Sequence, residues 1–505
     1  MKKFYITTPL YYVNDQPHIG HAYTTILADV LARYHRSLGE DVYFLTGTDE
    51  HGQKIQHAAE KRGVDPQQHA DEYVLHFTSM WEKLHIKYDG FIRTTEKRHT
   101  DRVKDVLNDF YERGEFYMAE YEGLYSVSEE RFVTEKEVEE GGFREVIQLK
   151  EKNYFFKMSK YQDALIRHIK ENPDFIIPSS RQNEILGFLK KPLGDLCISR
   201  PKSRLKWGIE LPFDKEYVTY VWFDALLNYI TAIEWKTDEA CFNKWWPVDL
   251  QLMGKDIITT HAVYWTTMLM ALGLPLPKSI LAHGWWLSGG SKMSKSLGNV
   301  VRPLDLIDEY GVDPVRYFLM RDMVLGLDST FTMDAFIRRY NSDLANDFGN
   351  LINRVTILIK KNFDGKIPEP GEFNLTDKEL IDEAGRIPAE IHLLIDALKL
   401  SDAIETTTSL FRKLNVYLEK KAPWKAVKED RSPKSSAATT MYVSANVLLI
   451  GARLLSPVMP SRIKDILSLL GSTSDNQAGY DFGLLTPGTI VGESRSPFPR
   501  IILDD

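Results

Sequence analysis

The chain opens with Lys3-Phe4-Tyr5-Ile6-Thr7-Thr8 and continues, after a loop that ends at Pro17, into His18-Ile19-Gly20-His21. The first stretch is rich in aromatic and β-branched residues, which predicts a strand. From His18 the apolar residues recur at helical spacing until Gly39, so a helix follows the loop. Val42-Tyr43-Phe44-Leu45 then predicts a second, buried strand. This order is typical of a parallel sheet in an α/β nucleotide-binding fold, in which ligands bind at the carboxyl ends of the strands.

Length and composition indicate a multidomain globular protein. The 505 residues correspond to about three domains of typical size. Hydrophobic residues make up 43% and charged residues 27%, which excludes disorder as the dominant state. The net charge of −8 provides no overall basic field, so any binding of nucleic acid must use a local patch.

The cysteines and the apolar runs favour a cytoplasmic protein. Cys197 and Cys241 are too few for a disulfide framework or a four-thiolate zinc site, and both fit a reducing compartment. Arg453 interrupts the most apolar run, residues 447–455. We therefore expect no membrane partner.

The pattern of apolar and charged residues changes along the chain. Between about Gly114 and Lys215, short and charged strand-like pieces predict an insertion. Apolar strand patterns resume at residues 217–221 and 279–282, so the α/β domain is expected to be split around the insertion. From about Asp334 helical periodicity dominates, which predicts an α-helical bundle in the C-terminal third.

Two basic motifs point to phosphate chemistry. The tetrad at residues 18–21 opens the first helix, where free backbone N–H groups and the helix dipole favour an anion. Gly289-Gly290-Ser291-Lys292-Met293-Ser294-Lys295-Ser296-Leu297-Gly298-Asn299 places two lysines in a glycine-flanked loop, which suits a developing phosphoryl charge. Taken singly, the tetrad is explained about as well by surface structure, and the loop by solvated charge. Lys157-Met158-Ser159-Lys160 repeats four letters of the loop without flanking glycines, and we interpret it as a chance copy.

Each of the two motifs follows a predicted strand, and a helical region comes after them. In this combination the sequence resembles that of class I aminoacyl-tRNA synthetases. Four further stretches are similar to the methionyl-tRNA synthetase family: Leu10-Tyr11-Tyr12-Val13-Asn14, Gly47-Thr48-Asp49-Glu50-His51-Gly52, Val221-Trp222-Phe223-Asp224-Ala225 and Gly254-Lys255-Asp256-Ile257. The resemblance covers nearly the whole chain. No Gly-x-x-x-x-Gly-Lys-Ser/Thr loop occurs, which argues against a P-loop nucleotidase.

The resemblance implies a split Rossmann-like catalytic domain of α/β class with a connective insertion, followed by an all-α helical-bundle anticodon-binding domain. The expected ranges are 1–114 and 216–288 for the two catalytic halves, 115–215 for the insertion, 289–340 for the KMSKS loop and stem-contact region, and 341–505 for the anticodon-binding domain. Many relatives carry Cys-x-x-Cys zinc knuckles in the insertion, whereas Tyr125-Ser126-Val127-Ser128-Glu129-Glu130-Arg131-Phe132 offers no thiolate. No structural zinc is therefore expected.

The implied activity is that of a methionine–tRNA ligase, which joins methionine to AMP and then esterifies the 3′-terminal adenosine of tRNA(Met). The residues that would bind ATP are His18, Gly20, His21, Gly254, Asp256, Lys292 and Lys295. The catalytic residues among them would be His18, His21, Lys292 and Lys295. Mg²⁺ would accompany ATP without a protein cage.

The resemblance also implies a methionine site. Asp49 would hold the α-ammonium group. The side-chain pocket would be formed or gated by Leu10, Tyr12, Trp222, Ala225, Leu226, Tyr229, Ile257, His261 and Trp265. A pocket rich in Trp and Tyr suits a polarisable thioether better than it suits leucine. Any one of these aromatic residues is explained by core packing in about two cases of three, but their joint placement beside the motifs favours a pocket.

In the helical third, Asn350 and Arg354 are four residues apart and so share one helix face. Trp424 lies in a local basic stretch, with six Lys and Arg against three acidic residues from Phe411 to Asp430. By resemblance, Asn350, Arg354 and Trp424 would read the CAU anticodon, for which they offer planar hydrogen-bonding groups and an aromatic platform. The structural alternatives are a capping pair and a core tryptophan.

Other functions and specificities fit the sequence less well. A non-catalytic synthetase paralogue that binds tRNA or methionine would be expected to lack one phosphate motif, and a small-metabolite adenylyltransferase would not need so large a helical third. A cysteinyl enzyme would need thiolate ligands in its active site, and leucyl, isoleucyl or valyl enzymes a large editing insertion. The expected partners are methionine, ATP and tRNA(Met). Since the chain ends at Asp505 without the dimerising module of some relatives, we expect a monomer.

Overall fold

The computed structural model describes residues 2–126, 131–133, 138–139, 146–288, 291–292, 301–472, 479–493 and 496–502. The chain divides into two compact units. The first unit comprises the chain up to Pro17, Leu38–Glu82 and Ile86–His283. The second unit comprises His18–Ser37, Lys83–His85 and the chain from Gly284 onward.

The first unit contains a parallel sheet of seven strands. Their order across the sheet is Tyr11–Tyr12, Asp41–Asp49, Lys3–Thr7, Leu250–Gly254, Ile280–His283 and Ile176–Ile177, with Gly90–Arg93 also paired to Asp41–Asp49. Tyr5 lies opposite Tyr43 and Thr7 lies opposite Gln251, so the first strand is paired on both sides. The strands read as apolar runs because both faces of such a sheet are covered.

The strand predictions for this sheet are confirmed except at one place. The predicted strands near residues 3–8, 42–45 and 279–282 are all present. The strand expected at residues 217–221 is instead Asp214–Thr219, which joins a separate three-stranded antiparallel sheet with Ser199–Pro201 and Glu210–Leu211. The alternation of residue types predicts that a strand forms there, but pairing partners distant along the chain decide which sheet it joins.

Residues 115–215, the predicted insertion, are built mainly on an antiparallel sheet. Its four strands are Arg131–Val133, Phe116–Ser126, Val146–Phe156 and Leu196–Cys197. The same range also contains Ile176–Ile177, which pairs with Ile280–His283 of the parallel sheet. The insertion therefore contributes one strand to the sheet that it interrupts.

Helices and single turns complete the first unit. The α-helices are Gln53–Arg62, Pro66–Lys83, Lys97–Glu112, Gln162–Glu171, Ser179–Phe188, Val221–Leu226, Asn228–Thr231, Glu239–Trp245 and Thr266–Leu272. Met158–Tyr161 and Lys255–Ile257 are 3₁₀ turns, and Thr260–Trp265 is a π-helical turn. We call Val221–Leu226, which carries the Trp-Phe-Asp-Ala stretch, the pocket helix.

The second unit is mainly helical, as the periodicity predicts. Its α-helices are Ile19–Ser37, Pro303–Tyr310, Val312–Arg321, Met333–Arg339, Asn350–Asn362, Leu375–Asp396, Leu400–Lys421, Pro423–Glu429, Ser436–Leu455 and Pro460–Leu469. Tyr340–Gly349 is π-helical. Three short strands, Trp286–Ser288, Ser291–Lys292 and Ser329–Thr330, form a small sheet.

Ser436–Leu455 is the one helix in the described part of the chain that is long and apolar enough to cross a membrane, with a mean hydropathy of 1.3. Of that apolar window, 94% is buried within the protein, as in the central helix of a bundle. Because Arg453 interrupts residues 447–455, the sequence predicts that no run reaches the length of a transmembrane helix. That prediction is wrong, since the helix extends from Ser436 to Leu455 with Arg453 in its last turn. Its guanidinium donates to the Gly479 carbonyl at 2.7 Å and the Ser472 hydroxyl at 3.1 Å.

Candidate functional site

The tetrad at residues 18–21 forms a compact histidine pair at the start of the helix Ile19–Ser37, in the second unit. The two rings stack at 3.9 Å between centroids. The Gly20 N–H donates to His18 Nδ1 and the His18 N–H donates to His21 Nδ1, each at 3.1 Å. Because each Nδ1 accepts, each neutral ring carries its proton on Nε2. Burial, with the neighbouring His18, holds the pKa of His21 well below its usual range, so this ring is a neutral donor.

Glycine is the residue type that fits at position 20 without a shift of the His18 ring. A β-carbon at Gly20 would lie 2.9 Å from His18 Cε1, which is closer than real side chains approach. The His18 ring is therefore able to fold over the backbone of the first helical turn. This places imidazole donors next to a helix N-terminus, the arrangement expected for binding an anion.

Of the two lysines in the second motif, Lys292 lies within the described residues. Ser291–Lys292 forms a short strand paired with Trp286–Ser288, while Lys295 and residues 293–300 lie outside the described residues. The predicted roles of Lys292 and Lys295 therefore stay predictions.

The chance copy at residues 157–160 has structural partners. Met158 is buried, Lys157 Nζ donates to the Gly114 carbonyl at 2.7 Å, and Lys160 Nζ pairs with Glu115 Oε1 at 2.6 Å. Both lysines are thus used within the packing of the first unit.

Gly254 and Asp256 lie at the carboxyl end of the central strand Leu250–Gly254. A β-carbon at Gly254 would lie 2.6 Å from Asp256 Oδ1, so the Asp256 carboxylate lies directly over the strand end. Ligands of parallel sheets bind at this edge. The positions suit the ATP-binding role predicted for the two residues, which the structure leaves as a prediction.

A small cavity in the first unit brings together seven of the ten residues predicted to bind methionine. They are Leu10, Asp49, Trp222, Ala225, Leu226, Tyr229 and His261. Asp49 is the last residue of the strand Asp41–Asp49, and Trp222, Ala225 and Leu226 belong to the pocket helix. The cavity volume of about 20 Å³ is close to the space that one water molecule occupies.

His261 is held in one tautomer at the wall of this cavity. Its Nδ1 lies 2.9 Å from the Ile257 carbonyl, which accepts only, so Nδ1 carries the proton. Its Nε2 lies 2.8 Å from the Tyr229 hydroxyl, which therefore donates to it. Burial lowers the pKa of His261 to about 4 and also raises the pKa of Tyr229. The cavity thus presents a neutral imidazole and a neutral phenol at physiological pH.

The low pKa of His261 predicts an acid-sensitive stability. The unfolded ring has a pKa near 6.5 and binds its proton before the folded ring does, so stability is lost as the pH falls from about 6.5 to about 4. At pH 5 we expect this group to cost about 2 kcal/mol of unfolding free energy relative to pH 7. Thermal melts at pH 7 and pH 5 should therefore show a larger drop for the parent protein than for His261→Asn, whose amide still reaches the Ile257 carbonyl. Equal drops would contradict the assignment.

Three residues predicted for the pocket lie outside its lining. Trp265 is fully buried and its ring packs 5.7 Å from that of Tyr229, so it supports a lining residue. Ile257 contributes its carbonyl to His261. Tyr12 has Lys54 Nζ 5.3 Å from its ring centroid. Sequence pattern and resemblance indicate the segments around the cavity. The packing of these segments determines which of their side chains line it.

Two lining residues, Pro9 and Asn228, are absent from the sequence prediction. Asn228 is buried, and its Nδ2 donates to the Ala225 carbonyl at 2.6 Å, which ties the end of the pocket helix to the next turn. The sequence offers one signal for Asn228, which is that it stands within an apolar run directly before Tyr229. A buried asparagine in such a run needs a hydrogen-bond partner.

The helical unit has a groove of about 890 Å³ that includes all three residues predicted to read the anticodon, Asn350, Arg354 and Trp424. The Arg354 guanidinium lies 5.1 Å from the Trp424 ring centroid and donates to Glu419 Oε1 at 2.5 Å. Trp424 is half-buried, so it is not simply a core residue. Further polar residues of the groove that the sequence prediction missed are Asn346, Asp347, Asn353, Arg412, Asn415 and Glu419.

Within the residues that the structure describes, no group of three or more His, Cys, Asp or Glu side chains is placed to hold a metal ion. Residues 127–130 of the stretch compared with zinc knuckles lie outside the described residues. The absence of structural zinc stays a prediction.

Comparison with known proteins agrees with this geometry. Residues 4–142 and 144–356 match the family model described as tRNA synthetases class I (M). Residues 367–487 match the anticodon binding domain of methionyl tRNA ligase. A methionine–tRNA ligase of Caldanaerobacter subterraneus subsp. tengcongensis is 45% identical over an alignment of 507 positions that covers 99% of this chain and 79% of that protein. A methionine–tRNA ligase of Thermotoga maritima is 42% identical over an alignment of 513 positions that covers 100% of this chain and 81% of the relative.

Solved structures show the same likeness. The Mycobacterium tuberculosis methionyl-tRNA synthetase in complex with methionyl-adenylate is 41% identical and superimposes with a TM-score of 0.95, over 99% of this chain and 100% of that one. Its apo form superimposes with a TM-score of 0.88 at 38% identity, over 100% of this chain and 99% of that one. On the family models, the sequence identity and the shared fold, the chain belongs to the methionyl-tRNA synthetase family of class I aminoacyl-tRNA synthetases.

Proposed function

We propose that this chain is an ATP-dependent methionine–tRNA ligase that forms methionyl-adenylate and transfers the methionyl group to tRNA(Met). The observation that carries the proposal is the cavity in which Asp49 lies with Trp222, Tyr229 and His261 at the carboxyl edge of a parallel sheet. A buried carboxylate suits an ammonium group, and aromatic rings suit a thioether.

In the first step, the methionine carboxylate attacks the α-phosphorus of ATP and pyrophosphate leaves. No side chain needs to act as a nucleophile, so catalysis consists of positioning and charge stabilisation. The Nε2–H groups of His18 and His21 would donate to phosphate oxygens. Lys292 and Lys295 would neutralise the charge that develops on the leaving pyrophosphate. Mg²⁺ would accompany ATP and would supply counter-charge to its phosphates.

Methionine recognition would rest on neutral groups around the side chain and one charge at the ammonium. Because His261 stays neutral and accepts from Tyr229, no charged group of this pair has to be desolvated by the thioether.

In the second step, a ribose hydroxyl of the terminal adenosine attacks the mixed anhydride and AMP leaves. By resemblance to the family this is the 2′-OH. The helical unit would select the tRNA, with Trp424 as a stacking platform and Asn350 and Arg354 as hydrogen-bonding partners for the anticodon bases. Glu419 already holds Arg354 in position beside the Trp424 ring.

This division of labour predicts that groove variants separate the two steps. Trp424→Ala should lose about 1 to 3 kcal/mol of binding per stacked base, and Arg354→Ala a similar amount, so tRNA charging should weaken. Neither change should alter methionine-dependent ATP–pyrophosphate exchange without tRNA. Melting curves must first show that the helical unit is folded. Loss of both reactions together with a lower melting temperature would instead identify Trp424 as a packing residue.

The decisive test of the function is exchange of pyrophosphate into ATP that depends on methionine. The ligase gives exchange, whereas a non-catalytic paralogue that binds tRNA or methionine gives none. Charging of a CAU transcript but not of altered-anticodon transcripts would then establish the tRNA. We further propose that the protein acts as a monomer in the cytoplasm, which gel filtration of the purified chain and localisation of a tagged chain would test.

A further inference from the structure

A buried aspartate lies between two histidines next to the cavity described above. Asp224 is fully buried in the pocket helix, between the lining residues Trp222 and Ala225. Its Oδ2 lies 2.6 Å from His51 Nδ1 and its Oδ1 lies 2.8 Å from His99 Nε2. His99 is fully buried as well, and its other ring nitrogen lies 2.8 Å from the Thr231 hydroxyl.

The chemistry of the carboxylate determines the direction of the two hydrogen bonds to Asp224. Burial would raise the pKa of Asp224, but the charges and hydrogen bonds of His51 and His99 hold it below its usual range, so Asp224 is a carboxylate. A carboxylate only accepts, so both imidazoles donate to it. Each oxygen of the Asp224 carboxylate therefore accepts a hydrogen bond from a histidine ring on another element.

The network joins the two sides of the cavity. His51 comes two residues after Asp49, at the end of the strand Asp41–Asp49. His99 belongs to the helix Lys97–Glu112, and Thr231 to the turn of helix that also carries Asn228 and Tyr229. Asp224, His51 and His99 are not lining residues. The carboxylate thus connects the segment with Asp49 to the pocket helix, from behind the wall.

A buried charged cluster needs a reason to be retained. Replacing such a cluster by packed apolar groups is often neutral or stabilising, so stability alone is a weak explanation. Two hydrogen bonds of 2.6 and 2.8 Å do restrict the position of the carboxylate more tightly than apolar packing would. A misplacement of about 1 Å in a binding site is enough to cost about 10²-fold in rate.

We propose that Asp224 is a positioning residue of the methionine site, which through His51 and His99 sets the position of Asp49 relative to the pocket helix. This inference rests on the function proposed above. Asp224 does not touch the substrate. It acts on methionine through Asp49, Trp222 and Ala225, and has no part in binding ATP.

The test is a set of substitutions in the full-length protein, measured by pyrophosphate exchange. Asp224→Asn should raise the KM for methionine about tenfold, while the KM for ATP stays within about twofold of the parent value. His99→Leu should have the same effect. His99→Gln should restore most of the methionine affinity, because its amide nitrogen reaches the position of Nε2 and still donates to Asp224.

Asp249→Asn is the matched control. Asp249 accepts from the Tyr5 N–H at 2.8 Å and from Lys278 at 2.6 Å, and lies directly before the strand Leu250–Gly254, at the opposite edge of the sheet from the ligand site. Its substitution should lower the melting temperature and leave the KM for methionine unchanged.

The outcomes are distinguishable. A KM for methionine that changes less than twofold in both Asp224→Asn and His99→Leu overturns the positioning role, as does an equal rise of both KM values. If Asp224→Asn fails to fold, the His99→Leu and His99→Gln pair decides, and equal KM values for the two overturn the inference. Absence of exchange in the parent protein would instead overturn the proposed function itself.

Discussion

The Lys295→Ala variant is expected to form methionyl-adenylate about 10²- to 10³-fold more slowly than the parent protein, a loss of about 3 to 4 kcal/mol of transition-state stabilisation. The reason is that charge develops on the phosphate oxygens as pyrophosphate leaves, and the proposed role of the Lys295 ammonium is to stabilise that charge. Methionine affinity should change little. Pyrophosphate exchange at saturating methionine measures the effect.

The chain supplies its own control for this experiment. Lys160 belongs to the second Lys-Met-Ser-Lys stretch, and its ammonium pairs with Glu115 at 2.6 Å. Lys160→Ala therefore removes a lysine from the same local sequence and should leave the exchange rate near that of the parent. If Lys295→Ala behaves like Lys160→Ala, Lys295 is a solvated loop lysine and the assignment is wrong.

Asp49→Asn is expected to raise the KM for methionine at least about 10²-fold. Asp49 is buried at the end of its strand and lines the cavity. Without its charge, the ammonium group of methionine would be desolvated with no counter-charge, which costs about 3 kcal/mol or more. The KM for ATP should stay near the parent value, and exchange kinetics with each substrate varied in turn would show the difference.

A substrate analogue tests whether this loss comes from the ammonium group. 4-(Methylthio)butanoate keeps the thioether and the carboxylate of methionine but lacks the ammonium. As a competitive inhibitor it should bind Asp49→Asn at least as tightly as the parent, because in the parent the buried Asp49 carboxylate would be left without the ammonium that neutralises it. An analogue that loses as much affinity as methionine does would mean that Asp49 shapes the pocket and does not bind the ammonium.

Much of the fold could be predicted because it is encoded locally. The strand Lys3–Thr7, the helix Ile19–Ser37 and the long helices from Leu375 onward follow from patterns that repeat every two or 3.6 residues. The strand near residue 217 was predicted to exist but was assigned to the wrong sheet. Its partners, Ser199–Pro201 and Glu210–Leu211, are chosen by hydrogen bonding across turns, which carries no periodic signal of its own.

The site was predictable to a similar degree. The motif resemblance implies ten residues for the methionine site, and seven of them line one cavity. Tyr12, Ile257 and Trp265 do not line it, because the side chains that face a cavity depend on packing between elements rather than on position in a motif. Pro9 and Asn228 were missed for the same reason.

Local patterns in the sequence predict the parallel α/β start and the helical C-terminal third, and the motif resemblance implies the family and the chemical types of the site residues. These are properties of short stretches and of their order along the chain. The contact of Asp224 with His51 and His99, which are 173 and 125 positions away, is visible in the folded chain alone. Nothing in a local pattern relates residues at such separations, and they come together only when strand ends and helices distant in the chain pack around one core.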